Sequence, residues 1–129
     1  VSQSRSSGAT RVIAGDVIHS YIAGITLSGF RAVVASPTGI IYASNNNANL
    51  LDILGITLNA ADAGQAVNVL EFGKLSDVSF SWSIGRLYLG LDGHIIQITP
   101  SVGNYLVELG VASSATEAVI RIQQPLLVQ

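Results

Sequence analysis

The chain has 129 residues, enough for one domain with its own core. Apolar residues make up 49% of it and charged residues only 11%, against about 25% in an ordinary soluble domain. No Cys is present and the net charge is −2, which argues against a disulfide framework, a Cys-ligated metal and a nucleic-acid binder.

In chain order, residues 1–15 read as an extended N-terminal arm. The first ten are Ser-rich and carry no large apolar group beyond Val1, so nothing there can pay the entropy of packing. The arm holds Arg5 and Arg11 and no acid, while all eight acids follow it. It is expected to reach a neighbouring subunit by strand addition, Arg5 or Arg11 meeting a carboxylate there, against the alternative of a disordered leader with incidental charge. From residue 16 to 129 a single β domain is expected. Candidate strands are 17–22, 30–35, 40–43, 51–58, 66–72, 75–80, 86–90, 95–99, 106–112 and 117–123. They are β-branched runs punctuated at the spacing of an all-β sandwich or barrel. Ser36-Pro37-Thr38-Gly39 and Asp92-Gly93 are turn signals. No stretch sustains helical periodicity, and no apolar run approaches the roughly 20 residues of a membrane span.

Two segments repeat one another. Residues 31–71 and 86–123 each open on Arg (Arg31, Arg86) and turn at Gly (Gly39, Gly93). Each continues with a paired Ile (Ile40-Ile41, Ile95-Ile96) and a Leu-Gly-β-branched triplet (Leu54-Gly55-Ile56, Leu109-Gly110-Val111). Ala66-Val67 matches Ala118-Val119. The expected unit is a hairpin followed by a second strand pair, two such units packing into one compact sandwich or barrel. The triplet Gly is expected at a bulge or a close backbone approach.

Chemistry-bearing residues are sparse. His19 and His94 lie in different units without His, Asp or Glu at ligand spacing; they read as a strand residue and a solvated turn residue. Asp16, Asp62 and Asp92 lie at or near Gly and read as turn formers. Asn45-Asn46-Asn47 reads as a polar loop tip. No nucleophile elbow and no phosphate-cradling Gly loop is found. No catalytic residue, cofactor or metal is therefore expected, and the chain is read as a non-enzyme. Trp82 is the single Trp. In Phe80-Ser81-Trp82-Ser83, strand alternation places Phe80 and Trp82 on one face. Trp82 is then a core filler, an interface anchor or a glycan-stacking platform. The low charge points to an outer surface covered by copies of the chain or by a lattice, against the alternative of a Ser/Thr/Asn-coated sandwich.

The stretch Phe80-Ser-Trp-Ser-Ile-Gly-Arg-Leu-Tyr-Leu-Gly90, followed by Leu91-Asp-Gly-His-Ile and Ile98-Thr-Pro100, resembles a module of tailed-bacteriophage structural proteins. That module reads W-x-P-G-x-x-(V/L)-Y-L-G-x-x-G-x-(L/I)-T-x-x-P after an apolar G-(I/L)-(T/A) segment. Leu54-Gly55-Ile56-Thr57, Ala60-Ala61 and Gly64 fit the upstream part. Leu109-Gly110-Val111-Ala112-Ser113 and Ile122-Gln123-Gln124-Pro125 fit the end. The resemblance spans residues 29–126 and departs at Ile84, where the pattern has Pro. It implies a virion component without enzymatic activity. The expected role is a capsid decoration (cement) protein on the capsid surface, bridging neighbouring subunits of the major capsid protein. A homotrimer is expected, with a dimer as competitor. The alternative is a fibre, collar or tail domain. No nucleic acid and no membrane is expected as partner.

Overall fold

A computed structural model of the chain describes residues 15–129. The chain is all-β: β1 Val17–Ile22, β2 Ala32–Ser36, β3 Gly39–Tyr42, β4 Ile53–Thr57, β5 Ala66–Ser76, β6 Gly85–Leu89, β7 Ile95–Ile96, β8 Tyr105–Leu106, β9 Glu108–Ala112, β10 Glu117–Arg121 and β11 Leu126–Leu127. One antiparallel sheet runs β3-β2-β4-β5-β10-β9-β6-β7, with β1 added on β5 and β8-β11 forming a separate pair. The sheet curls into a half-barrel. Its concave side holds the main core: Val34, Ile56, Leu70, Leu75, Leu89, Leu109 and Ile120 are all buried there.

The two halves share one strand order. A hairpin (β2-β3 or β6-β7) pairs through its first strand with β4 or β9, which pairs in turn with β5 or β10. The bulges match as well. Val33 faces Gly55 and Val34 faces Ile53, so Leu54 is the extra residue. Leu87 faces Gly110 and Tyr88 faces Glu108, so Leu109 is the extra residue. A Cβ at Gly55 would stand 2.2 Å from the Leu70 carbonyl oxygen, and one at Gly110 would stand 2.0 Å from that of Val119. Each triplet Gly is thus a place where one backbone crosses close under another.

The strand register shifts three pairings that residue order suggests. The second hairpin turn is longer by one residue, because Gly90 N–H bonds the His94 carbonyl where Ser36 pairs with Gly39. Gly39 therefore corresponds to His94, and Gly93 lies inside the turn. Arg86 corresponds to Ala32, since these two face Val111 and Ile56. Val119 corresponds to Leu70, so Ala118-Val119 aligns with Val69-Leu70 and not with Ala66-Val67. The β4–β5 loop is longer than the β9–β10 loop, and counting residues cannot see where that length is absorbed.

β5 is one eleven-residue strand rather than two. It contains a bulge at Glu71: Val17 pairs with Phe72 and Ile18 with Leu70. Leu70 and Leu75 are five apart and would face opposite sides of a regular strand. The bulge turns both into the same core. The segment after β1 covers the outer side of the first half, where Ala23 and Leu27 pack on Val33, Ile40, Val67 and Val69.

Candidate interaction surface

Trp82 does not lie on a strand. Phe80 to Ser83 form the connection between β5 and β6. The Trp82 N–H bonds the Ala115 carbonyl at 3.0 Å, and its half-buried ring packs on the core beside Leu87, Ala112 and Ala118. Phe80 stacks on it with centroids 4.1 Å apart, and Phe30 meets Phe80 edge-on at 4.8 Å. The aromatic trio seals the margin of the core. Phe80 and Trp82 do share a side, as alternation suggested, but the loop achieves this by stacking. The turn before it is held by Asp77, whose carboxylate accepts from the Ser79 N–H at 3.0 Å and from the Ser79 hydroxyl. The hydroxyl bond, then the backbone bond, holds the Asp77 carboxyl below the usual carboxylate range.

Asn45 is not a loop tip. It is buried at 4% exposure and joins the two halves. Its N–H bonds the Gly90 carbonyl at 3.1 Å, and its own carbonyl accepts from the Tyr105 N–H at 2.8 Å. Its side-chain amide donates to the Leu89 carbonyl at 3.0 Å, leaving Oδ1 without a partner among the described residues. Beside it, the Gly93 N–H bonds the Ala43 carbonyl at 2.6 Å. A Cβ at Gly93 would meet the Ala32 carbonyl oxygen at 2.5 Å, which is why only Gly suits this crossing. Asn47 caps a short 3-10 turn by accepting from the Asn49 N–H.

His19 is a strand residue on β1, and its Nδ1 lies 3.1 Å from Glu71 Oε2. The Tyr21 hydroxyl donates to the same carboxylate oxygen. This bond, then partial burial and the Glu71 charge, pushes the Tyr21 phenol above its ordinary pKa. His94 is an exposed turn residue bonded through Nδ1 to the Leu91 carbonyl. Among the described residues no group of three or more His, Asp, Glu or Cys is placed to hold a metal. No helix there is long and apolar enough to cross a membrane. Arg5 and Arg11, the arm's candidate contacts, lie outside the described residues.

The most distinctive surface is the convex face of the second half. Alternation is clean there. In β10, Ala118 and Ile120 are fully buried while Val119 is 43% exposed; in β9, Ala112 is buried while Val111 is 39% exposed. Phe72 on β5 is 41% exposed. Register lays these side chains in rows: Lys74, Val119, Val111 and Arg86 form one, with Val17, Phe72 and Arg121 alongside. Lys74, Arg86 and Arg121 are all exposed. In the first half, Ile56 and Leu70 hold the positions of Val111 and Val119 and are buried in the core. Among the described residues the first half is therefore covered on both sides, and the second on one. This face escapes a reading of the sequence because Ala118-Val119-Ile120 is apolar throughout, so its alternation has no visible phase.

Neither a known family model nor a curated protein sequence matches the chain.

Proposed function

We propose that the protein is a bacteriophage capsid decoration protein that docks on the outer surface of the head and bridges neighbouring copies of the major capsid protein. The observation that carries this reading is the convex face of the second half, which no described element covers. Four large apolar side chains, Val17, Phe72, Val111 and Val119, are each 39% to 43% exposed in neighbouring rows of a rigid sheet. A sheet presents side chains at fixed spacing, so such a face can dock with little entropy loss, and contiguous exposed apolar surface marks interaction sites. The resemblance of residues 29–126 to virion structural modules supplies the partner. The sparse charge of the chain suits a component held within a lattice, and a homotrimer seated at local three-fold positions is the arrangement proposed.

Electron microscopy of virions, with the protein located by antibody or by density, tests the reading. Density spread over the head surface in hundreds of copies is the expected result. Density confined to fibre, collar or tail would replace decoration by that role, and absence from the particle would overturn a virion role altogether.

A further inference from the structure

We infer that the convex face of β5, β10, β9 and β6 docks onto an acidic protein surface, one that presents carboxylates around an apolar strip. This rests on the reading of the protein as a head-binding component and specifies the chemistry of the partner. The argument is one of charge placement. The chain is acidic overall, with eight acids against six Lys and Arg. Arg5 and Arg11 lie outside the described residues. Of the other cations, Arg31 is turned elsewhere: it lies over the Tyr42 ring at 4.8 Å and donates to the Asp92 carbonyl. The remaining three, Lys74, Arg86 and Arg121, all stand on the convex face, where the half-buried carboxylates are Glu117, on the Val119 side of β10, and Glu108 beside Arg86. The three cations flank Phe72, Val119 and Val111 in the strand register. Among the described residues only Arg86 has a carboxylate partner, Glu108 at 3.6 Å, in a pair whose Arg side chain is 68% exposed. Lys74 and Arg121 make no ion pair within the described chain.

An acidic chain that gathers its cations around its exposed apolar side chains is shaped for a partner of opposite sign. Apolar contact supplies affinity, and complementary charge sets the register and speeds encounter. The same placement disfavours a second copy docked face to face. A two-fold pairing brings the face against a copy of itself, so that two surfaces carrying the same three cations meet.

The test uses heads of the phage that encodes the chain, prepared without it, and the full-length chain. Three variants are compared with wild type: Lys74→Glu/Arg121→Glu, the charge-conserving Lys74→Arg/Arg121→Lys, and Val119→Ser. All three change exposed positions, and circular dichroism checks that each folds. The expected result is a loss of head binding of tenfold or more for the charge reversal and for Val119→Ser. The charge-conserving variant should bind within twofold of wild type, and wild-type binding should weaken steadily with salt. Hydrogen exchange on bound particles should show protection along β5 and β10. If wild type binds but the reversal binds equally well, with protection elsewhere, the face assignment falls while the head-binding reading stands. If the reversal changes the mass of the protein in solution and leaves head binding intact, the face belongs to a second copy and the assignment is overturned. If wild type does not bind heads at all, the functional reading falls, and this assignment with it.

Discussion

A methyl group at Gly55 or Gly110 has nowhere to go. It would stand 2.2 Å or 2.0 Å from a carbonyl oxygen of the next strand, and strand backbone cannot yield as a flexible side-chain tip does. Gly55→Ala and Gly110→Ala are each expected to destabilise the fold by about 3 kcal/mol in urea unfolding. Gly64 is the control. Its φ is +88° but nothing lies within 4 Å of its Cβ position, so Gly64→Ala should cost only about 1 kcal/mol of left-handed backbone strain. Equal costs at all three sites would show that conformation, not contact, governs. Asn45 acts through hydrogen bonding. Asn45→Ala deletes the buried amide that binds the Leu89 carbonyl and should cost about 2 kcal/mol by the same measurement. Tyr21 gives a pH signature. Its pKa is raised in the fold, so the contribution of its hydroxyl is fully present below about pH 10. That contribution is lost as pH rises through the folded value. Wild-type stability should therefore fall more steeply on the alkaline side than that of Tyr21→Phe.

Among the elements, β5 joins the halves and is where regular alternation fails. The run from Ala66 to Ser76 contains Gly73 and reads as two strands, because Gly in a strand interior weakens it. Gly73 has φ +127°, and a Cβ there would strike Asp16. Asp16 in turn accepts from the Lys74 N–H at 3.1 Å. The Gly stands where pairing with β1 ends and pairing with β10 runs on, Phe72 being paired with both, and the strand passes through it. The Phe80–Trp82 connection shows the opposite error. Its alternation imitates a strand, but Asp77 and Ser79 close a turn that stops pairing at Ser76. Trp82→Ala loses the stack with Phe80 and should cost about 2 kcal/mol by circular-dichroism-monitored unfolding, less than the roughly 3–5 of a fully buried Trp because the ring is half-exposed. A near-zero cost would mean that the ring is held for a partner. The Asp77 turn should loosen with acid. Its pKa is lowered in the fold, so its contribution is present above the ordinary carboxylate range and lost as pH falls through the folded value. In an NMR titration, Ser79→Ala should move the Asp77 midpoint upward.

For the whole molecule, the consequence is unequal cover. Two units of one strand order meet along β5 and β10, yet the bulge at Glu71 changes which side chains face inward on crossing from one to the other. The first unit buries both faces, one in the shared core and one under Ala23 and Leu27. The second spends its inward face on the core and leaves Val111 and Val119 outside. Replacing both exposed valines with Thr should leave the midpoint of thermal unfolding within a few degrees of wild type, because little buried area is lost. The corresponding change at Ile56 and Leu70 should unfold the domain, since each is at most 1% exposed. Thermal scans of the two double variants check the asymmetry directly.

The all-β class, the hairpin turns and the doubled strand order were determined by sequence alone, because they rest on local chemistry: β-branched runs, Pro and Gly at turns, and a Leu-Gly triplet recurring in step. Tertiary structure alone decided which side of the second unit is turned from the core and that Asn45 is a buried seam. It also set the lateral register of β10 against β5 and gathered Lys74, Arg86 and Arg121, distant in the chain, onto one face. Register and the phase of burial are set by the neighbouring strand, since a one-residue slip or a single bulge exchanges inside for outside while the sequence keeps the same pattern.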